Sequence, residues 1–185
     1  MWVPRAAIVT KLVTAADADA RDGLLVSLLD DIAEDCATVL GEVTDPALRP
    51  LGEIAADAVA ALRCGHRPSA QALAGNVFDT VLRDATRRGV IFAGPPAGYF
   101  RYDKARKKIT PVSERTAVGR FRTACVLSAA LPALEDYNPS DPAPTRFVRH
   151  ATAHSARPEQ YAPVNAIVAV MLMASVLREA QACGW

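Results

Sequence analysis

The stretch of this chain best equipped for chemistry is RFVRHATAHSARPEQYAP, at positions 146–163. It holds two of the three histidines, His150 and His154, and Arg149 directly precedes the first of them. Residues four apart share one face of a helix, so the two imidazoles would be neighbours. The following residues, SARP, predict that this helix ends near His154. The pattern therefore groups a permanent cation with two imidazoles at the C-terminal end of a helix.

Four interpretations fit this grouping. The charged residues could complement the helix dipole and cover the last carbonyls. The two histidines could bind zinc, but a zinc centre needs a third and usually a fourth ligand, and His66 is the only other histidine. Nucleophilic catalysis lacks a signal, because there is no GxSxG and Ser155 beside His154 does not indicate a triad. The fourth interpretation is metal-independent RNA cleavage.

RNA cleavage by transesterification at phosphorus requires these residue types. An imidazole near its ordinary pKa can deprotonate a ribose 2′-hydroxyl or protonate a leaving 5′-oxygen. An arginine can offset the charge that builds on the phosphate during the attack. Spacing alone does not choose among the four interpretations.

The sequence VRHATAH at 148–154 resembles the R-x4–6-H signature of the HEPN superfamily (higher eukaryotes and prokaryotes nucleotide-binding domains). Arg149 is followed by four residues and then by His154. Family motifs often read NRHxxxHG and precede a short loop and a last apolar helix. This chain has VRHATAHS, ARPEQYAP and NAIVAVMLMASVL in the same order, so the close match spans 146–181.

Three positions depart from the family pattern. Val148 stands where Asn is common and Ser155 where Gly is common, and neither change removes a catalytic group. Ala156 stands where the toxin branch that pairs with a nucleotidyltransferase antitoxin has Tyr. The last departure argues against membership of that branch.

The resemblance implies an all-α endoribonuclease that works without metal or cofactor. Two copies would dimerise, so that Arg149 and His154 of both protomers form one composite site. His154 would be the general acid or base, and Arg149 would hold and neutralise the scissile phosphate. His150 would position the substrate or form a hydrogen bond within the motif. The products would be a 2′,3′-cyclic phosphate and a 5′-hydroxyl. Family roles are commonly defensive or toxin-like, which implies an antitoxin or another regulatory partner.

Two other functions remain open at this point. One is a non-catalytic HEPN-like module that binds RNA, a nucleotide or a partner protein. The other is a purely structural helical adaptor in which the grouping of histidine and arginine is incidental. Cleavage of RNA, binding without products, or neither would separate the three.

A basic segment supplies candidate RNA contacts. From Arg83 to Arg122 the chain has eleven Lys or Arg against three Asp or Glu, and aromatic residues are interleaved in YFRYDKARKK. Such a segment could hold single-stranded RNA by phosphate contacts and stacking, or it could be a solvated loop. The candidate substrate-binding residues are Arg101, Tyr102, Lys104, Arg106, Lys107, Lys108 and Arg120.

Composition and charge bound the class of protein. The chain has 185 residues, of which 51% are hydrophobic and only 6% aromatic, which favours packed helices over a β-sandwich. The net charge of +1 excludes a globally basic nucleic-acid binder. Residues 1–60 nevertheless carry four basic against eleven acidic side chains, and the remainder seventeen against nine. An anionic ligand would be drawn to the second part.

Hydrophobic periodicity predicts an all-α bundle of five or six helices in one domain, 1–185. The helices are expected at about 20–40, from 44–50 to Gly65, from about 70 to 88, 114–134, across the motif, and 164–181. Residues 89–113 hold too many Gly and Pro for a bundle helix and predict an irregular loop or a short hairpin. Asn76 and Asp79 interrupt the third helix, where they could face the motif and orient His154 or lie exposed.

The remaining features predict a cytoplasmic protein. The four cysteines have no CxxC spacing and lie in apolar or helical contexts, so they are expected to be small buried side chains in a reducing compartment. The N-terminus lacks the apolar core of a signal peptide. The longest apolar run, 166–177, is shorter than the ~20 residues of a membrane span and predicts a helix buried on nearly every side.

Overall fold

The computed structural model describes residues 2–89, 106–107, 109 and 113–185, and the helices there confirm the all-α class. No strand occurs among these residues. The eight α-helices of this part are α1 (Ala6–Thr14), α2 (Ala18–Ser27), α3 (Leu29–Gly41), α4 (Arg49–Arg63), α5 (Arg67–Arg87), α6 (Phe121–Ala130), α7 (Arg149–His154) and α8 (Pro163–Cys183). Short 3-10 turns occupy Val118–Arg120, Leu131–Leu134 and Pro158–Tyr161.

The expected number of five or six helices is too low. The single helix predicted at 20–40 is broken at Leu28, whose backbone leaves the helical region (φ −106°, ψ 19°). Both halves, α2 and α3, pack against α8, so the break changes the chain direction while keeping both apolar stripes on the core. The N-terminal helix α1 was not predicted. The helix expected at 114–134 is regular only in α6, with a 3-10 turn on either side.

The start and end signals of α4 and α5 explain their bounds. Each helix has a proline in its first turn, Pro50 and Pro68, where the missing N–H costs no hydrogen bond. Gly65 follows α4 with φ +77°, a left-handed conformation that glycine adopts without strain. The predicted stop at Gly65 is therefore confirmed. The tight turn places α4 and α5 against each other as antiparallel neighbours.

The final helix α8 is the centre of the molecule. It packs against α2, α3, α4, α5 and α6, and most of its residues from Asn165 to Ala180 are buried. By length and composition α8 alone among the described helices could cross a membrane, but 72% of its most apolar stretch is buried inside the protein. The prediction of a helix buried on nearly every side is confirmed. The motif at 148–154 is thus attached, through a short loop, to the most buried helix.

One buried carboxylate joins the N-terminus to the end of α8. Glu179 is fully buried and accepts hydrogen bonds from Trp2 Nε1 (2.9 Å), Arg122 Nε (2.7 Å), Thr123 Oγ1 (2.5 Å) and Cys183 Sγ (3.1 Å). Two guanidiniums lie over the Trp2 ring, those of Arg122 and Arg178, at 4.5 and 4.4 Å from the ring centre. Burial is tolerated here because every oxygen of the charge is matched by donors.

The cysteine prediction holds for only one of the four residues. Cys36 is buried in α3, and burial raises the pKa of its thiol to about 12, so it packs as an inert apolar side chain. Cys125 is partly exposed, and Cys64 and Cys183 are exposed, which corrects the expectation for them. They lie at or beyond helix ends or on an outer face, positions that a helical context in the sequence does not distinguish. All four are free thiols.

Candidate functional site

The motif forms the short helix α7, which begins at Arg149. It ends at His154, as the sequence predicts. Val148 has an extended backbone and a buried side chain, and Ser155 returns to the extended region. Because the helix has only six residues, its own hydrogen bonds cannot hold it in place. Its position depends on the elements packed around it.

The helix α5 is the platform for α7. Phe147, just before the motif, meets Phe78 of α5 edge to face, with ring centroids 6.5 Å apart. Gly75 of α5 packs against that ring, and a Cβ built there would lie 3.6 Å from Phe147 Cζ, an ordinary van der Waals distance. One turn earlier the buried Gln71 donates from Nε2 to Thr152 Oγ1 at 2.9 Å. These contacts fix one face of α7 along two turns of α5.

Arg149 is held by a carboxylate that it shares with a second arginine. Its Nη2 donates to Asp79 Oδ2 at 2.8 Å, and Arg83 Nε donates to the same oxygen at 2.7 Å. The Arg149 side chain is 13% exposed and that of Asp79 is 8% exposed. The two guanidiniums and the carboxylate together carry one net positive charge. The arrangement fixes the direction of Arg149 and leaves the group with a net positive charge.

His150 is oriented by the backbone. Its Nδ1 accepts the N–H of Tyr137 at 3.1 Å, so the neutral ring carries its proton on Nε2. Burial, then the neighbouring His154 and Arg149, hold the pKa of His150 below its ordinary value, although the Asp136 carboxylate opposes the shift from 3.9 Å. The lowered pKa favours the neutral form of His150 at pH 7.

His154 stands at the surface beside His150. It is exposed, and the two rings meet edge to face with centroids 4.8 Å apart and an interplanar angle of 83°. The predicted neighbouring of the two imidazoles is confirmed. An exposed imidazole in contact with a second imidazole suits general acid or base chemistry.

A buried amide closes the end of the motif helix. With its amide nitrogen turned toward α7, Gln160 lies 3.2 Å from the carbonyl oxygen of Ala151 and 3.3 Å from that of Ser155. Asn165, at the start of α8, donates from Nδ2 to the Gln160 backbone carbonyl at 2.9 Å. The Ala151 carbonyl also accepts the Ser155 N–H at 2.9 Å, so the Gln160 amide adds a second hydrogen bond at the end of the motif helix. Through Asn165 these bonds connect the motif to α8.

A cleft beside His150 contains two of the predicted RNA-binding residues. Arg106 and Lys107 line it together with Leu134, Glu135 and Asp136, and its volume is about 570 Å³. Both basic side chains are exposed. The same Asp136 lies 3.9 Å from His150, so the cleft adjoins the motif.

The other predicted RNA contacts are not at this place. Arg120 is exposed at the start of α6, next to Arg122, which bonds Glu179 near the far end of α8. Fourteen residues of helix, about 21 Å, separate Glu179 from Asn165 at the motif end. Arg120 therefore cannot touch the same nucleotide as His154 within one protomer. Arg101, Tyr102, Lys104 and Lys108, and most of the loop or hairpin predicted at 89–113, lie outside the described residues.

The sequence indicated some of the supporting residues and missed others. Asp79 was considered as a residue that could orient His154, and the structure shows it in contact with Arg149. The roles of Gln71, Gln160 and Asp136 had no signal beyond polarity, although a Gln inside an apolar helix stripe is a sign of a buried hydrogen bond. Within the described ranges, no group of three or more His, Cys, Asp or Glu side chains could hold a metal ion.

Comparisons with protein-family models, with curated proteins and with solved structures find no match for this chain. The assignment of a function therefore depends on the chemistry and geometry of the site itself.

Proposed function

We propose that the protein is a metal-independent endoribonuclease of the HEPN type. The observation that carries the proposal is the arrangement of side chains on the motif helix. His154 is exposed, and the ring of His150, whose lowered pKa favours the neutral form, lies against it. Arg149, on the same short helix, is held by Asp79. These are the groups that 2′-hydroxyl transesterification needs, and they share one short helix. The adjoining cleft, whose lining includes Arg106 and Lys107, supports a nucleic-acid substrate.

We assign the roles from the chemistry of these side chains and from the resemblance to the family motif. His154, as base, removes the proton of a ribose 2′-hydroxyl, whose oxygen attacks the adjacent phosphorus, or, as acid, protonates the 5′-oxygen that leaves. Arg149, directed by Asp79, holds the phosphate and offsets its charge. His150 donates from Nε2 to a phosphate or ribose oxygen and positions it. The products are a 2′,3′-cyclic phosphate and a 5′-hydroxyl.

One histidine cannot serve as both base and acid in a single step. A homodimer that brings two motif helices together would supply one imidazole for each proton transfer, and it belongs to the proposal for that reason. A cytoplasmic location, a role in defence or as a toxin, and a neutralising partner belong to it as well. They rest on the resemblance of 148–154 to the family motif.

The alternative is a non-catalytic module that binds RNA, a nucleotide or a partner protein. The burial of Arg149 favours it, because a guanidinium that is 13% exposed and paired with Asp79 also serves as a structural ion pair. In that case the ion pair of Arg149 with Asp79 stabilises the packing of α7 on α5, and the cleft binds its ligand without reaction.

Cleavage of total RNA in EDTA tests the proposal. Wild type is compared with His154→Ala and Arg149→Ala, and with matched changes of exposed residues, His66→Ala and Arg21→Ala. We expect products ending in cyclic phosphate from the wild type and both controls, and a loss of about 10²-fold or more in the two motif variants. Activity that survives His154→Ala would refute the proposal. If the wild type and all four variants bind RNA but release no products, the result would support the non-catalytic module.

A further inference from the structure

The cleft beside the motif has the composition of a nucleotide subsite rather than of a simple basic surface. Its volume, about 570 Å³, falls in the usual range for small-ligand sites. Arg106 and Lys107 supply positive charge, and the carboxylates of Glu135 and Asp136 also line the cleft. Leu134 lies at the base of the cleft, and its side chain is buried. A phosphate and the amino edge of a base each find a complementary group here.

The two carboxylates of the cleft have different partners. Glu135 accepts from Arg106 Nη2 at 3.2 Å and from Arg146 Nη2 at 2.5 Å, so its charge is engaged in holding two arginines. Asp136 is 62% exposed, and its nearest described basic partner is His150 Nδ1 at 3.9 Å. That nitrogen already accepts the Tyr137 N–H, so it has no proton to give to Asp136 while His150 is neutral. The Asp136 carboxylate is available to a ligand as a hydrogen-bond acceptor.

A carboxylate acceptor discriminates among bases. It accepts from the exocyclic amino group of cytosine, whereas uracil presents a carbonyl oxygen at the same position and repels it. Two side-chain contacts, Asp136 to His150 and His150 to His154, connect this acceptor to the exposed imidazole. A nucleotide in the cleft would therefore neighbour a phosphate placed at His154.

We propose that this cleft binds the nucleotide next to the scissile phosphate, with Arg106 and Lys107 on its phosphate and Asp136 selecting cytosine over uracil. The inference rests on the proposed ribonuclease function only in identifying the neighbouring phosphate as the one that is cleaved. The base preference is a property of binding. It can be measured without any cleavage.

The experiment uses the full chain in EDTA and short 2′-O-methyl oligonucleotides, which cannot be cleaved by attack of the 2′-oxygen. Binding of oligocytidylate and oligouridylate is measured for wild type, Asp136→Asn and the exposed control Asp57→Asn. We expect the wild type and the control to prefer cytosine by about tenfold. The amide introduced by Asp136→Asn offers both a donor and an acceptor, so the preference should fall below about twofold.

Arg106→Ala and Lys107→Ala separate the phosphate contacts from base selection. Each should weaken both oligonucleotides equally and reduce the salt dependence of binding by about one phosphate contact, with the cytosine preference kept. Equal binding of the two oligonucleotides by wild type, no binding of either, or a preference that survives Asp136→Asn would overturn the subsite. If the protein prefers cytosine but cleaves no RNA, the subsite is supported and the ribonuclease function is refuted. If it cleaves RNA but shows no preference, the ribonuclease function is supported and the subsite is refuted.

Discussion

At the scale of single residues, Asp79 decides whether Arg149 can serve as a fixed cation. One carboxylate oxygen receives both Arg149 and Arg83, in a place where all three side chains are at most 21% exposed. Removing the negative charge leaves two nearly buried guanidiniums side by side. Such a loss costs more than the pair itself contributes, because the remaining charge stays desolvated.

Asp79→Asn should therefore lower the free energy of unfolding by about 2–3 kcal/mol. It should also lower cleavage per folded molecule, because Arg149 would no longer be held toward the phosphate. Urea unfolding and the EDTA cleavage assay measure the two effects. The matched control is Asp84→Asn, which removes an exposed pair with Arg87 on the same helix and should cost less than about 0.5 kcal/mol. Equal costs for the two variants would contradict the role given to Asp79.

His150 makes stability depend on pH. Its pKa is lowered in the folded protein, first by burial and then by His154, so between that value and the unfolded value of about 6.5 the unfolded chain binds more protons. Stability then falls as the pH falls below about 6.5, and above that value this dependence on pH disappears.

Unfolding by urea at about pH 7.5 and about pH 5.5, on either side of the ordinary histidine pKa, tests this prediction. His150→Asn keeps an acceptor for the Tyr137 N–H and removes the titration, so it should lose less stability than wild type between the two pH values. His66→Asn, at an exposed histidine, should lose as much as wild type. A wild type whose stability is the same at both pH values would refute the prediction.

At the scale of elements, α5 is the part that makes a six-residue motif helix possible. Gln71, Gly75, Phe78 and Asp79 follow each other at helical spacing, and each meets the motif segment through a different interaction. Gly75 is the close-packed point, with Phe147 at 3.6–3.7 Å and Thr152 Cγ2 at 3.9 Å from a Cβ built there. Those are ordinary van der Waals distances, so a methyl group fits and a larger side chain does not.

Gly75→Ala should keep the structure and stabilise it by about 0.5–1 kcal/mol, because alanine is the better helix former. Gly75→Leu should displace Phe147 and destabilise the protein by about 1–3 kcal/mol. Thermal unfolding of both variants gives the comparison. The neutral reference is Gly52→Ala in α4, where a Cβ meets nothing within 4 Å and only the helix preference changes. A Gly75→Ala variant less stable than wild type would show that the contact with Phe147 has no spare room.

The elements also show how far the sequence could be interpreted. The end of α7 at His154, the stop at Gly65 and the buried α8 follow from local signals, and all three were predictable. The break at Leu28 was not, because the apolar stripe continues through it without Gly or Pro. The contact between Asp79 and Arg149 spans 70 residues, and only the packing of α5 on α7 brings the two together. Long-range pairs of this kind have no local signature.

At the scale of the whole molecule, the two ends of α8 have separate tasks. The motif and its cleft lie at the N-terminal end, and Glu179 gathers Trp2, Arg122, Thr123 and Cys183 near the other end. Burial alone would raise the pKa of Glu179, but the hydrogen bonds from these four groups lower it overall. This contribution to stability is therefore present above the ordinary carboxyl pKa and is lost as the pH falls through the lowered value.

Glu179→Gln keeps the shape of the side chain and removes the charge that Arg122 and Trp2 meet. We expect it to lower the free energy of unfolding by about 2–3 kcal/mol and to increase the exposure of Trp2, which fluorescence quenching would report. Glu34→Gln, which removes an exposed carboxylate paired with Arg5, is the matched control and should cost less than about 0.5 kcal/mol. Because about 21 Å of helix separates Glu179 from the motif end, cleavage per folded molecule should not change. A loss of activity in folded Glu179→Gln protein would mean that the two ends of α8 are coupled, and the separation of tasks would be wrong.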